Sequence, residues 1–444
     1  MRFLLKEYFD RFLAWWEHIE SYIVAVAKWV SVAITTGIFC GIIGSVFHHG
    51  VHIATELRAE HPWLLWCLPI AGLVIVGFYK LTKTEGQGTN DIIEAVHHGK
   101  GLSIFLLPAI FVGTILTHLC GGSAGREGAA LQMGGTIGYH TGRLCNLDDR
   151  DMRTATLTGM AAFFSALFGT PLAATVFAIV VISVGVMYHA AFIPCFTASL
   201  VAYAVSIVMG VEPTRFNVEI PVPEVSLVLR IVILAMLCAF VSSVFCKVIH
   251  VVEHQMKKRI PNSWTRVIVG GFAVAILTTI CGTTDYNGAG MEVITAAVEE
   301  GTAHPLAFLL KILFTAVTLA AGFKGGEVVP SFFVGATFGC VMGPLLGIPA
   351  GFAAALGLVA VFCGATNCPI ASIFLAIELF GEGGLLYFAL TCGISYMLSG
   401  YTGLYSSQTI LYSKLKAQYI NVRANDHREG KPHAQPMDKG SLKE

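Results

Sequence analysis

The 444-residue sequence is 55% hydrophobic and only 13% charged, and its mean hydropathy is +0.71. Soluble domains are about a quarter charged, so this composition predicts an integral membrane protein with several spans rather than a soluble domain. The formal net charge is zero, which gives no indication of a nucleic-acid partner. The sequence shows no nucleophile–base pair and no Cys/His cluster at metal spacing, so neither an enzyme nor a metal or cofactor is expected.

In chain order, residues 1–21 mix charged and aromatic side chains at helical spacing, which predicts an amphipathic helix on the membrane surface. About 20 apolar residues are needed to cross a bilayer as a helix. The clearest candidates for spanning helices are residues 22–47, 63–79, 103–120, 226–245 and 267–282.

Three shorter apolar runs, 328–340, 352–363 and 369–380, contain or adjoin Gly and Pro. About ten apolar residues are too few to span a bilayer alone. These runs therefore predict half-helices inside a bundle, because interrupted helices occur at membrane depth only where protein or a water-filled cavity surrounds them.

Basic residues indicate the orientation of the chain. They cluster in the loops near residues 80–83, 143–153 and 257–266, which are therefore predicted to be cytoplasmic. The last segment, 422–444, is polar and without periodicity, which predicts a disordered cytoplasmic tail.

The sequence contains an internal repeat. Residues 125–138, GREGAALQMGGTIG, resemble residues 325–339, GGEVVPSFFVGATFG: both have G-x-E and then a glycine eight residues after the glutamate. A proline-headed apolar segment follows each glutamate, 44 residues later in the first case and 42 in the second. We therefore divide the transmembrane part into halves at 22–210 and 211–421. Repeated halves with interrupted segments predict a transport site at their interface, whereas the alternative is a chance recurrence of glycine.

Three glycine-rich turns precede predicted helices: EGQGTND at 85–91, GSAGREG at 122–128 and GFKGGEVVP at 322–330. The free N–H groups and the positive dipole end of a helix N-terminus attract anions. If the three turns converge, they form an anion site from neutral donors. A phosphate site is disfavoured, because none of the turns has the G-x-x-x-x-G-K-[ST] pattern.

Glu127 is the candidate gating and proton-coupling residue. A carboxylate beside an anion site competes with the anion for the site, whereas the protonated group releases it. A single glutamate can therefore couple anion movement to proton movement. The alternative is a structural ion pair between Glu127 and its neighbour Arg126.

These motifs resemble those of the CLC family of chloride channels and anion/proton antiporters over residues 30–420. GREG is similar to the family's G-[KR]-E-G-P, with Ala129 in the place of the proline, and GGEVVP is similar to its G-G-x-x-x-P. The segments headed by Pro171 and Pro369 resemble its proline-headed helices, and Tyr405 resembles its pore-lining tyrosine. The resemblance implies an all-α polytopic protein of the plasma membrane, an inverted-repeat bundle of long, tilted and broken helices. It also implies a homodimer in the lipid bilayer with one pore per subunit.

Departures from the chloride-type pattern favour the family's fluoride/proton antiporter branch. The first turn lacks the serine of G-S-G-[IP]-P and has Thr89-Asn90 instead, while Glu327 replaces a usually apolar residue. Residues 180–181, where chloride/proton exchangers have an inner glutamate, are both valine. The resemblance then implies export of cytoplasmic fluoride in exchange for protons. The alternatives are a chloride channel or chloride/proton exchanger, and a membrane scaffold or sensor with an inactive transport core.

Fluoride is small and strongly hydrated, so its site needs strong donors such as the amide of Asn90 and the hydroxyl groups of Thr89 and Tyr405. The alternative for Thr89 and Asn90 is a plain helix N-cap. Glu327 is interpreted either as a second protonatable group or as the partner of Lys324. Phe332 and Phe333 are candidates for an aromatic lining or for ordinary packing. The candidate anion-binding residues are Gly88, Thr89, Asn90, Gly125, Arg126, Gly128, Glu327, Val328 and Tyr405.

Overall fold

A computed structural model describes residues 2–222, 224–416 and 418–425. Within these residues there are sixteen α-helices, and six helical segments are long and apolar enough to cross a membrane. The helices of the first half are α1 (Arg2–Glu60), α2 (Leu68–Leu81), α3 (Thr89–His98), α4 (Leu106–Leu119), α5 (Glu127–Leu144), α6 (Asp149–Phe168), α7 (Pro171–Val180) and α8 (Phe192–Val208). Those of the second half are α9 (Val225–Arg259), α10 (Ser263–Cys281), α11 (Met291–Thr295), α12 (Ala307–Ala321), α13 (Val328–Leu345), α14 (Ala350–Thr366), α15 (Pro369–Phe380) and α16 (Leu385–Leu398).

The two halves have the same order of elements, with eight helices each. In both halves a helix of 18 residues follows the G-x-E turn: α5 begins at Glu127 and α13 at Val328. Each of these helices packs against the next one along the chain, and a shorter helix then begins at Pro171 or Pro369. This arrangement confirms the predicted all-α bundle built from a repeat.

Glycine allows the central helices to pack closely. A Cβ atom on Gly159 of α6 would overlap the backbone of Gly134 in α5, and a Cβ atom on Gly357 of α14 would overlap that of Gly335 in α13. Small residues at helix contacts let backbones approach each other, which is a common way to pack helices inside a membrane. Gly134 and Gly159 in the first half, and Gly335 and Gly357 in the second, are therefore contact residues of corresponding helix pairs.

Three predicted helices differ from those in the structure. The prediction of a spanning helix at 103–120 is wrong, because α4 has only 14 residues and is not among the helices long enough to cross a membrane. The prediction of a half-helix at 328–340 is wrong, because α13 continues to Leu345 and is long enough to span. Its glycines do not interrupt the helix, since they contact α14 instead. Residues 2–21 are helical as predicted, but they are continuous with the first span in the single helix α1. Their position on the membrane surface stays a prediction.

The C-terminal segment adds a small sheet that the sequence did not suggest. Strand β1 (Ser183–Val184) pairs in parallel with β2 (Thr409–Tyr412), which pairs antiparallel with β3 (Tyr419–Arg423). The sheet ties the chain that follows Tyr405 to the end of the first half. Of the tail predicted at 422–444, the first residues belong to β3 and the turn after it, and 426–444 lie outside the described residues.

Candidate functional site

The three glycine-rich turns meet at one place. Gly125 and Gly326 exchange two backbone hydrogen bonds, in which the N–H of each donates to the carbonyl oxygen of the other at 2.8 Å. The hydroxyl of Thr89 donates to the carbonyl oxygen of Gly128 at 3.5 Å. The N-termini of α3, α5 and α13 therefore lie beside one another, as an anion site built from helix ends requires.

The pairing of Gly125 with Gly326 relates the two halves by approximate two-fold symmetry. The backbones approach so closely that a Cβ atom on Gly128 would overlap Gly326, and one on Gly326 would overlap Gly128. Only glycine fits at these positions, because any side chain would force the two turns apart. The glycines of the two G-x-E motifs thus serve the contact between the halves.

Glu127 is completely buried at this contact. Neither of its carboxylate oxygens has a hydrogen-bond partner of good geometry within the described part of the chain, although the backbone N–H of Val329 in α13 lies nearby. A Cβ atom added to Gly125 would overlap Oε2 of Glu127 and would also contact Val329 and Pro330. The carboxylate of one half therefore lies against the first turn of the equivalent helix in the other half.

A buried carboxylate without good hydrogen bonds is costly, and most buried polar groups in proteins are satisfied. Arg126 provides only a distant ion pair, with its Nε 3.7 Å from Oε1 of Glu127. The guanidinium of Arg126 instead contacts Nδ1 of His48 at 2.8 Å and donates to the carbonyl oxygen of Leu167 at 3.5 Å. The predicted Arg126–Glu127 pair is thus present, but the head of Arg126 is held mainly by α1 and α6.

Glu327 lines a cavity of about 370 Å³ at the ends of α3 and α13. It occupies the N-cap position of α13 without a side-chain capping hydrogen bond, and it is only partly buried, unlike its counterpart Glu127. The alternative partner for Glu327, Lys324, turns elsewhere: its Nζ lies 4.1 Å from the ring centroid of Tyr79. The prediction of a Lys324–Glu327 ion pair is therefore wrong for the described residues.

The first turn places polar side chains on the same cavity, which Gly88, Thr89 and Asn90 line. Oδ1 of Asn90 accepts from the backbone N–H of Ser407 at 3.0 Å, which leaves its amide N–H groups without a partner among the described residues. The alternative of a plain N-cap at Thr89 or Asn90 is wrong. Gly88 caps α3, and its N–H donates to the side chain of Asp91 at 2.9 Å.

Tyr405 closes the site from the C-terminal segment. It also lines the cavity and is 2% exposed, and its hydroxyl has no hydrogen-bond partner in the part of the chain that the structure describes. The neighbouring Gln408 holds this segment, because its Nε2 donates to the carbonyl oxygens of Val181 at 2.8 Å and Thr366 at 2.9 Å. The position of Tyr405 is therefore fixed by both halves of the molecule.

The aromatic candidates make packing contacts. The ring of Phe332 lies edge-on to Phe168 and Phe362, at centroid distances of 6.0 and 5.1 Å. Phe333 packs against Tyr286 at 6.3 Å, and Nζ of Lys311 lies 5.0 Å from its ring centroid. Among the described residues that line the cavity, neither ring is found.

Gln132 is a site residue that the sequence analysis missed. It lies on α5 five residues after Glu127, it lines the cavity, and its Nε2 donates to the hydroxyl of Thr89 at 3.2 Å. Its Oε1 has no partner within the described ranges. The sequence does contain a signal for Gln132, because it is the only amide side chain in the apolar run GAALQMGG.

The cavity lies beside residues of the basic clusters, near the end of α9 and the start of α10. Its lining includes Glu85, Lys257 and Arg266. The end of α2 also contacts the start of α10, since Nζ of Lys80 lies 5.2 Å from the ring centroid of Trp264. The basic clusters predict that this face is cytoplasmic.

Comparisons with known proteins agree with this architecture. A sequence profile described as voltage gated chloride channel matches residues 70–400. A protein of Pseudomonas syringae pv. tomato named chloride/fluoride channel protein is 35% identical over 398 residues, which are 88% of each chain. An H(+)/Cl(-) exchange transporter of Vibrio campbellii is 25% identical over 386 residues, which are 78% of this chain and 81% of the relative.

Two solved structures are similar. The crystal structure of a CLC-type fluoride/proton antiporter has a TM-score of 0.84 and 31% identity, and the match covers 86% of this chain and 98% of the other. A slow cyanobacterial Cl-/H+ antiporter has a TM-score of 0.71 at 20% identity, with 84% and 94% covered, which supports the fold alone. The family profile covers well over half of this chain and the structural match extends over most of it. The protein is therefore a multi-pass integral membrane protein and belongs to the CLC family, the voltage gated chloride channel family of anion transport proteins.

Proposed function

We propose that the protein is a fluoride/proton antiporter that exports cytoplasmic fluoride. The observation that carries the proposal is Glu127, a fully buried carboxylate without well-formed hydrogen bonds that lies against the N-terminus of α13. The relative at 35% identity is named for chloride and fluoride, and the solved neighbour at 31% identity is a fluoride/proton antiporter. Both names support this choice of anion.

In the proposed cycle the carboxylate of Glu127 takes the place of the anion at the meeting helix N-termini. Protonation removes its charge, so it leaves the site and fluoride enters from the cavity. Return of the carboxylate expels the anion and releases the proton. An anion that strips its hydration shell needs strong donors, and the free amide of Asn90 and the free hydroxyl of Tyr405 provide them.

Glu327 has a different proposed part in this cycle. It lies on the cavity rather than at the sealed contact between the halves, and it has no cationic partner among the described residues. A carboxylate at this position exchanges protons with the cytoplasmic water. We assign to it the transfer of protons between the cavity and the central site.

The proposed assembly is a homodimer in the plasma membrane, with one complete pore in each subunit. All three glycine-rich turns, both glutamates and Tyr405 come from one chain. A subunit therefore contains its own pathway and needs no residue of a second copy to complete it.

The test is ion flux from liposomes that contain the purified protein. We expect fluoride efflux accompanied by proton influx, and little chloride efflux under the same gradient. Equal fluoride and chloride fluxes would support the second candidate, a chloride channel or exchanger, which the word chloride in the name of the Pseudomonas relative favours. Absence of any flux would indicate an inactive transport core.

A further inference from the structure

Glu94 of helix α3 is a carboxylate that the proposed cycle does not use. It lies four residues after Asn90, and residues four apart share one face of a helix. In the described part of the chain Asn90 lines the cavity, whereas Glu94 does not. Any effect of Glu94 on the transported anion therefore passes through other residues.

Ser407 is held by both of these side chains. Its backbone N–H donates to Oδ1 of Asn90 at 3.0 Å, and its hydroxyl donates to Oε1 of Glu94 at 3.2 Å. The serine is 8% exposed, and it follows Tyr405 by two residues. One buried residue thus connects the helix of the first glycine-rich turn to the segment that carries Tyr405.

The hydrogen bond from Ser407 fixes the orientation of the Asn90 amide. A backbone N–H only donates, so the atom that it meets is the carbonyl oxygen of the amide. The amide N–H groups of Asn90 then remain available to an anion in the cavity that this residue lines. If Ser407 moved away, the amide would rotate more freely, because the last side-chain torsion of asparagine has a broad energy minimum.

The same face of α3 continues along the C-terminal segment. Nε2 of His97 lies 3.0 Å from the hydroxyl oxygen of Thr409 in β2. Arg423 of β3 pairs with Glu94, since its Nη1 lies 3.1 Å from Oε1 of the carboxylate. Glu94 therefore contacts two separate parts of the C-terminal segment, Ser407 before the sheet and Arg423 in its last strand.

We propose that Glu94 is a positioning residue of the transport site, which acts through Ser407 to hold the amide of Asn90 in place. The inference deepens the proposed function and rests on it, since it gives this amide the part of a fluoride donor. Binding groups need neighbours that fix their geometry, because a donor that moves out of line loses most of its hydrogen bond. Loss of Glu94 should therefore weaken fluoride binding although Glu94 does not touch the ion.

The test measures initial fluoride efflux from liposomes as a function of the internal fluoride concentration. We expect Glu94→Ala to raise the apparent KM about fivefold, the effect of one hydrogen bond, and to change the maximal rate less than about twofold. Glu94→Gln keeps a carbonyl oxygen for the hydroxyl of Ser407, so it should restore most of the affinity. Ser407→Ala should reproduce the effect of Glu94→Ala, and the double variant should be no worse than either single variant.

The dependence on Asn90 separates a positioning role from a general loss of stability. Asn90→Ala should raise KM by itself, and Glu94→Ala added to it should cause no further rise. Arg423→Gln is the matched control, because it removes the exposed ion pair and leaves both hydrogen bonds of Ser407 in place. We expect its KM to stay within about twofold of that of the unchanged protein.

Hydrogen–deuterium exchange in detergent gives a readout that does not need transport. The backbone N–H groups of residues 404–412 should exchange about fivefold faster in Glu94→Ala, because one hydrogen bond that holds this segment is lost. In Glu94→Gln the exchange should stay close to that of the unchanged protein.

The outcomes separate this inference from the proposed function. If the unchanged protein carries fluoride and Glu94→Ala leaves KM unchanged, the positioning role is wrong while the antiporter stands. An equal rise in KM with and without Asn90 would also overturn it. If the unchanged protein carries no fluoride, the proposed function fails, and unaltered exchange of 404–412 in Glu94→Ala would overturn the inference as well. Should Glu94→Ala not fold, Ser407→Ala decides by the same KM criterion.

Discussion

The two G-x-E turns occupy equivalent places in the two halves but differ in what surrounds their glutamates. Glu127 is the first residue of α5, is fully buried and lies against the opposite helix. Glu327 precedes α13 as its N-cap, is partly buried and lines the cavity. An arginine comes before the first glutamate, whereas a glycine comes before the second.

This difference shows how equivalent positions of a repeat carry two glutamates that differ in their access to the cavity. The paired glycines Gly125 and Gly326 place both glutamates near one contact. The surroundings bury Glu127 completely, whereas Glu327 remains accessible from the cavity. Two groups with different access are what proton transfer between a closed site and water requires. The difference between the two glutamates can be tested by substituting each of them in turn.

The largest effect is expected for Glu127→Gln. The amide keeps the shape of the side chain but does not carry a proton in exchange for fluoride, so we expect proton coupling to be lost. Fluoride exchange should fall on the order of 100-fold. Simultaneous recordings with a fluoride electrode and a pH electrode measure both quantities.

Glu378→Gln is the matched control for this change. Its carboxylate accepts from the backbone N–H groups of Leu172 at 3.0 Å and Ala173 at 2.8 Å, so it is a satisfied structural group. We expect it to lower thermal stability while the proton-to-fluoride ratio stays unchanged. A coupled flux that survives Glu127→Gln would remove Glu127 from the gating role.

A smaller effect is expected for Glu327→Gln. Because Glu327 lies on the cavity, its loss should slow proton delivery, by about tenfold in coupled flux, without opening the sealed contact. The double variant should be no slower than Glu127→Gln alone, since both residues act on one proton route. Additive losses, measured as the ratio of initial rates, would mean that the two glutamates work independently.

The pairing of the turns is tested by Gly326→Ala. Its added Cβ would overlap Gly128, so we expect a loss of about 1–3 kcal/mol in stability together with impaired transport. Gly88→Ala is the control, because no atom lies within 4 Å of a Cβ atom there. Thermal unfolding in detergent measures both. Equal melting temperatures would contradict the close contact between the halves.

The smallest effect is expected for Tyr405→Phe. The hydroxyl has no partner within the described residues, so its removal should leave stability unchanged. If the hydroxyl donates to fluoride, the apparent KM should rise by about fivefold, the effect of one hydrogen bond of about 1 kcal/mol. An unchanged KM, in the efflux assay described above, would assign Tyr405 to packing.

The repeat made much of this site predictable from sequence. The glycine eight residues after each glutamate marks equivalent helices, and residues 369–380 coincide with α15. The three glycine-rich turns meet as an anion site requires. The turns and the glycine spacing are local patterns, so the sequence is enough to find them, whereas the meeting of the turns was only a condition of the predicted anion site.

The remaining features depend on contacts between distant parts of the chain. Strands β1 and β2 are short and lie more than 200 residues apart, so no local pattern indicates that they pair. The stacking of Lys324 on Tyr79 likewise joins the turn before α13 to helix α2, which are far apart in sequence. The glycines of α13 were interpreted as interruptions, because the sequence does not show that α14 packs against them.

The hydrogen bond from Ser407 to Asn90 has a consequence for biosynthesis. It joins the first glycine-rich turn to a segment synthesised 317 residues later. Strands β2 and β3, which follow Tyr405, are later still, so the candidate anion-binding residues are all present only when almost the whole chain has been inserted. A fragment that ends before Tyr405 therefore lacks both that residue and the hydrogen bond from Ser407 to Asn90.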